Sequence, residues 1–290
     1  ASTRTPVRLR RAIGRASTTA ELAAVAGSVV PAVVGAYDAG HPAATVTSTL
    51  STLTDAIVAK AVELHVRTRG TPPVPFVWLT TGSVARLEAV PGSDLDTLLA
   101  WAGDDTDDEV RGWMRGLAAD VLATLAACGL RIDDNGVRAD DPRFSRSVDA
   151  WRQALRGWAA DPTAHQADIY LATLADARPV WGHATWQPVE AELRGVHARP
   201  LVRSTVHRAA TAVSPPTGFV RDLVIESSGE HAGMLDLKRG GVAPVVAIGR
   251  YLAALLPGHP ITTADRIRAA GSRALIREAD AQDLADAFDV

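Results

Sequence analysis

Gly82-Ser83-Val84-Ala85-Arg86-Leu87-Glu88-Ala89-Val90-Pro91-Gly92-Ser93-Asp94-Leu95-Asp96 is the most informative stretch of the chain. Before it runs Val74-Pro75-Phe76-Val77-Trp78-Leu79-Thr80, a short β-prone segment, and Asp94 to Trp101 is a second strand candidate through Leu95, Leu98 and Leu99. Alternation on a strand turns Asp94 and Asp96 to one face and Leu95 to the other. Two carboxylates about 7 Å apart by strand rise can bridge a pair of hard cations. Cations about 4 Å apart can activate an attacking oxygen and neutralise a leaving pyrophosphate. At Gly82 the backbone can approach a phosphate closely, and the Ser83 hydroxyl can donate to a phosphate oxygen. A Gly-Ser pair alone is usually a turn, and an Asp-x-Asp alone is usually a solvated loop or strand end. Strand, Gly-Ser, a ten-residue spacer and Asp-x-Asp on a second strand, in that order, form a far sharper signal.

Outward from this core the pattern turns helical. Residues 17–69 read as helices: Ser17-Thr18-Thr19 forms an N-cap ahead of Glu21, Leu22 and Val25, and a long helix covers Val46 to Arg67. Its apolar positions are Leu50, Leu53, Ile57, Val58, Ala61 and Leu64, and Gly70-Thr71-Pro72-Pro73 ends it. After the second strand, helices are expected over about Asp108 to Ala127, stopped by Gly129, and over about Arg146 to Ala159. The run Ala167 to Val180 fits strand or helix equally by pattern. From Trp186 onward the chain is mostly helical, with breaks at Pro215-Pro216-Thr217-Gly218 and Pro257-Gly258-His259-Pro260. The expected fold class is α+β: a small mixed β-sheet core (residues 71–184) flanked by an N-terminal helical segment (1–70) and a C-terminal helical bundle (185–290), to which the resemblance given below assigns substrate binding.

Composition narrows the function classes. The 290 residues are 47% hydrophobic and 22% charged, the balance of a folded soluble chain rather than a disordered one. A net charge of -3 lacks the basic excess typical of nucleic-acid binders. With one cysteine, Cys128, an intramolecular disulfide is excluded and a thiolate zinc site is disfavoured; Ala126, Ala127 and Leu130 around it suggest a buried small hydrophobe. No apolar run is read as long enough to span a membrane, and Arg4, Arg8, Arg10 and Arg11 are not followed by a secretory leader, so a cytoplasmic location is the default expectation. The acidic run Asp104-Asp105-Thr106-Asp107-Asp108-Glu109 reads as a solvated helix start, and the tryptophans Trp113, Trp151, Trp158, Trp181 and Trp186 as packing. There is no Gly-x-x-x-x-Gly-Lys loop and no nucleophile-elbow serine.

The motif and several later segments resemble the DNA polymerase β-like nucleotidyltransferase superfamily. Within it the chain is similar to the PII uridylyltransferases and glutamine-synthetase adenylyltransferases, and most of all to a family of proposed nucleotidyltransferases often fused to CBS or cyclic-nucleotide-binding domains. Arg86-x-Glu88 is shared with that pattern, and Ser93-Asp94-Leu95-Asp96 replaces its usual Thr-Asp-Gln-Asp while keeping both carboxylates. Asp140-Asp141-Pro142-Arg143-Phe144, Asp176-Ala177-Arg178-Pro179-Val180-Trp181-Gly182, Pro215-Pro216-Thr217-Gly218-Phe219 and Leu235-Asp236-Leu237-Lys238-Arg239-Gly240-Gly241 extend the likeness over nearly the whole chain.

What the resemblance implies is transfer of a nucleoside monophosphate from a nucleoside triphosphate to an acceptor hydroxyl, with release of pyrophosphate. Asp94 and Asp96 become ligands of two Mg²⁺ ions, with Mn²⁺ as the alternative, and Gly82 and Ser83 hold the triphosphate. Asp176 is the first choice for a third, catalytic and metal-binding carboxylate, with Asp168 as the alternative. Arg86 is a candidate for phosphate neutralisation, oriented by Glu88, against an equally weighted plain salt bridge. Arg178 either lies near the metals or pairs with Asp176, and Lys238 is a candidate contact to the β- or γ-phosphate. A protein acceptor is favoured over a small molecule of the antibiotic type, and nucleic acid is less favoured. The rival reading is a regulatory nucleotide-binding module on the same fold without turnover.

Overall fold

Six consecutive buried residues, Phe76–Thr81, form the strand on which the first half of the molecule is organised (β1). The structure, a computed structural model, describes residues 5–132, 136–164, 166–212, 237–256 and 260–289. β1 pairs antiparallel with Asp96–Trp101 (β2) and with Arg178–Trp181 (β4), while Ser145–Ser147 (β3) runs parallel to β2. The sheet is therefore mixed and four-stranded, in the order β3-β2-β1-β4. With the many helices around it, this is the α+β class expected.

The chain divides into two compact units, Ala1–Gly157 with Asp176–Leu193, and Trp158–Ala175 with Arg194–Val290. In the first, helices Pro6–Arg15 (α1), Thr19–Ala26 (α2), Val29–Asp38 (α3), Ala43–Arg69 (α4) and Asp108–Ala127 (α6) share a core with one face of the sheet. Leu9, Ile13, Leu22, Val33, Ile57 and Val58 from these helices bury themselves beside Trp78, Leu99 and Trp101 from the strands. Between β1 and β2 lies a single helical turn, Gly82–Ala85 (α5). Helix α4 alone is 27 residues, about 40 Å of rigid support. Its neighbour α2 starts as the sequence predicts: the Thr18 hydroxyl accepts from the Glu21 N–H at 3.1 Å, and the Glu21 carboxylate accepts from the Ser17 N–H at 2.8 Å. Asp107 caps α6 through the N–H groups of Glu109 and Val110, and Gly129, at φ +80°, follows its end.

Two expectations are corrected. The second strand begins at Asp96 rather than Asp94, because β1 turns away at Gly82 and Thr81↔Asp96 is the last pair it can offer; Asp94 makes only an isolated bridge to Arg131. Among the described residues one stretch does reach the length and hydropathy of a membrane span: Thr19–Asp38, 20 residues containing an 18-residue window of mean hydropathy 1.6. Here it is broken between α2 and α3, and Leu22, Ala26, Val29 and Val33 are buried in the core. The ambiguous run after Ala167 resolves into both options, a helix Ala167–Leu174 (α8) followed by β4.

The second unit is helical. Ala243–Leu255 (α11), Thr263–Ser272 (α12) and Glu278–Asp289 (α13) pack through Leu252, Ile267, Ala270, Ala281 and Ala285, and Pro200–Ala212 (α10) lies against α11. Trp158 stacks on Tyr170 at 5.0 Å in the same unit. The proposed substrate-binding segments 215–219 and 235–236 lie outside the described residues.

Cys128 is buried at the end of α6, and burial pushes its thiol up to about 11. It stays protonated at neutral pH. Iodoacetamide should leave it unmodified in the native protein and alkylate it in the denatured chain, as intact-mass spectrometry will show.

Candidate active site

The loop of the motif approaches the second of its two carboxylates. Gly82 follows the last residue of β1 with φ +66°, in the left-handed region, and a Cβ built there would lie 2.5 Å from Asp96 Oδ2. Any other residue would be strained in its backbone and would overlap the carboxylate. Glycine at this position thus creates a cradle in which the backbone of the turn touches the Asp96 side chain. Gly82→Ala should cost about 1–2 kcal/mol in urea unfolding from the backbone alone, and should displace Asp96 as well.

The turn is short because the chain stops it. Arg86, Leu87 and Glu88 N–H groups close back onto Gly82, Val84 and Ser83 carbonyls at 3.1, 3.1 and 2.8 Å. Leu87 takes the left-handed conformation, φ +64°, without being glycine. From there the spacer runs to Asp94-Leu95-Asp96, whose alternation survives even though only Asp96 lies in the strand: Leu95 is buried while both aspartates are half-buried.

Asp94 Oδ1 lies 2.8 Å from Arg131 Nε, a side chain that is 69% exposed. The contact is an ion pair without hydrogen-bond alignment, and this buried oxygen accepts no hydrogen bond from a described residue. A carboxylate oxygen paired to an exposed arginine, two residues before the Asp96 that faces Gly82, can take a hard metal ion in place of that pair. Among the described residues, no three His, Cys, Asp or Glu side chains converge as a ready-made cation cage. Magnesium does not require one, since it is commonly held by one or two carboxylates together with substrate phosphates and water.

The other predicted residues form braces around the turn. The buried Arg86 donates from Nε to Glu88 Oε2 at 2.7 Å and from Nη1 to Asp176 Oδ2 at 2.5 Å. Burial alone would lower the guanidinium pKa, but Asp176 and Glu88 outweigh it and hold the group above its ordinary value. Asp176, in the turn before β4, has a fully buried side chain. Arg178 does not take Asp176 as its ion-pair partner. It binds Asp55 on α4 at 2.5 Å and donates to the carbonyls of Ala85 at 3.0 Å and Val84 at 3.3 Å. Asp168, in the first turn of α8, and the exposed Lys238 belong to the second unit.

Three residues of this neighbourhood escape the sequence reading. Arg131 carries no local signal, being 37 residues beyond Asp94 (131 minus 94) and brought back only by the bridge after α6. Asp55 and Ser51 were legible in principle, as polar residues four apart beside the apolar stripe of α4.

Comparison with protein families finds two matches. Residues 29–165 match the family described as "Putative nucleotidyltransferase DUF294", and residues 200–290 match its companion, "Putative nucleotidyltransferase substrate binding domain". The chain belongs to this nucleotidyltransferase family. No curated protein matches it. The first model spans the α4 brace, the glycine turn, both aspartates and Arg131. The second covers α10 to α13 in the second unit.

Proposed function

We propose that the chain is a metal-dependent nucleotidyltransferase that moves a nucleoside monophosphate from a nucleoside triphosphate to an acceptor hydroxyl, releasing pyrophosphate. The observation that carries this reading is the close approach of the glycine turn to the Asp96 carboxylate, a Cβ at Gly82 falling 2.5 Å from Asp96 Oδ2, which supports reading the turn and the Asp-x-Asp pair as one site. Family membership supports it independently. Asp94 and Asp96 would hold magnesium, which supplies charge neutralisation on the triphosphate when bound. Gly82 and Ser83 bind and orient the phosphates, the glycine by close backbone approach and the serine through its hydroxyl. Arg131, no longer needed opposite Asp94, is free to turn its exposed guanidinium toward phosphate oxygens. Asp176 and Glu88 hold Arg86 in place, so that the turn keeps its shape. Binding and charge placement, rather than a covalent intermediate, carry the rate enhancement.

A second reading, a nucleotide-binding module without turnover, is favoured by one observation: Asp176, the expected third carboxylate, is wholly buried against Arg86. Labelled nucleotides separate the two. Nucleoside triphosphate labelled on the α-phosphate should pass its label to an acceptor in magnesium, tested first on protein, then on small hydroxyl compounds and on RNA. Label that moves only from the γ-position contradicts nucleotidyl transfer, and binding without any transfer to the three acceptor classes supports the module.

A further inference from the structure

Helix α4 supports the motif loop at two points one helical turn apart. Ser51 is fully buried and accepts from the Ala89 N–H at 3.1 Å, which anchors the spacer. Asp55 accepts from the Thr80 hydroxyl at 3.3 Å and from Arg178 at 2.5 Å. Arg178 in turn grips the Val84 and Ala85 carbonyls at the far end of the Gly82–Ala85 turn. We infer that Asp55 is a positioning residue for the triphosphate turn: acting through Arg178, it fixes the turn against Asp96 and sets how tightly nucleotide is held.

The inference rests on the site reading above, and geometry supplies the rest. Thr80 is separated from Gly82 by one residue, so Asp55 holds the strand entering the turn while Arg178 holds the turn's exit. Both ends are tied to one side chain on a helix that the core keeps rigid. The turn and the Asp96 carboxylate lie close, since a Cβ at Gly82 would fall 2.5 Å from Asp96 Oδ2. A turn released at its exit would therefore shift against the metal-binding carboxylate. Burial pushes the Asp55 carboxyl above the usual range, against the opposing pull of Arg178, Thr80 and Arg10. A carboxylate kept in so unfavourable a place is one whose partners matter.

The test is nucleotide affinity, measured by calorimetric titration of the full chain in magnesium well below Tm, beside Tm without nucleotide. Asp55→Asn should weaken binding roughly 10-fold or more, the scale seen when a group supporting a metal site is removed. Asp55→Glu should restore most of it, and Arg178→Gln combined with Asp55→Asn should be no worse than either alone, because the two act as one unit. A lowered Tm with unchanged Kd in Asp55→Asn would overturn the inference and leave Asp55 as a structural residue only. If Asp55→Asn does not fold, Asp55→Glu and Arg178→Lys carry the same comparison. Binding by the parent that is lost in Asp94→Asn/Asp96→Asn but unaffected at Asp55 refutes this inference alone. A parent that binds no nucleotide refutes the site reading and this inference together.

Discussion

Asn in place of both Asp94 and Asp96 should remove nucleotidyl transfer by a factor of at least about 10³, with the fold intact. Metal stabilisation of the transferring group is worth several kcal/mol, and this double change removes both proposed ligands. Stability should hardly move, for three reasons. Both side chains are only half-buried. The Asp94 ion pair to Arg131 involves an arginine that is 69% exposed and is worth at most about 1 kcal/mol. The substitution also relieves repulsion between two neighbouring carboxylates. Thermal unfolding and steady-state kinetics on the same preparation check both halves of the expectation. A large loss of Tm would mean that the pair serves the fold rather than the chemistry.

Arg86→Met should behave in the opposite way and destabilise the first unit by about 3–5 kcal/mol. The arginine is the counter-charge for Asp176, whose side chain is fully buried, and for Glu88, at 13% exposure. Removing it takes a buried counter-charge away from both carboxylates. A loss of that size lowers Tm by roughly 10 °C in a unit of this size. Arg86→Lys should recover little, because the two bonds leave from Nε and Nη1 in fixed directions that one ammonium cannot reproduce. Adding Asp176→Asn to Arg86→Met should recover part of the stability by removing the stranded charge. Urea unfolding of the three variants gives the result, and a change below about 1 kcal/mol for Arg86→Met would show that the pair is solvated and dispensable.

The contrast between these two predictions marks what a sequence can reveal. Asp94, Asp96, Gly82 and Ser83 were legible because strand alternation and turn chemistry act over a few residues. Helix α6 was legible to its ends because Asp107 and Gly129 punctuate it locally. The braces were not, since Arg86 meets Asp176 across 90 positions and Asp55 meets Arg178 across 123. Arg178 could be placed near the site by its motif, but its partner came from a helix far upstream. Residues 167–180 stayed ambiguous for the same reason: the strand Arg178–Trp181 exists because β1 offers it an edge, a fact absent from its own pattern. The start of β2 was misjudged by two residues because pairing with β1, not propensity, decides where the ladder stops.

The central claim is that the Gly82 turn and the Asp94/Asp96 pair together hold a metal-bound nucleoside triphosphate. The most direct test titrates ATP, GTP, CTP and UTP into the protein with and without magnesium, following thermal stabilisation, beside Asp94→Asn/Asp96→Asn. A ligand that binds only the native state raises Tm by mass action, by an amount worth about 2.7 kcal/mol at a hundredfold excess over Kd. The account predicts a magnesium-dependent rise for at least one nucleotide that disappears in the variant. A rise that survives in the variant, or no rise with any of the four, would contradict it.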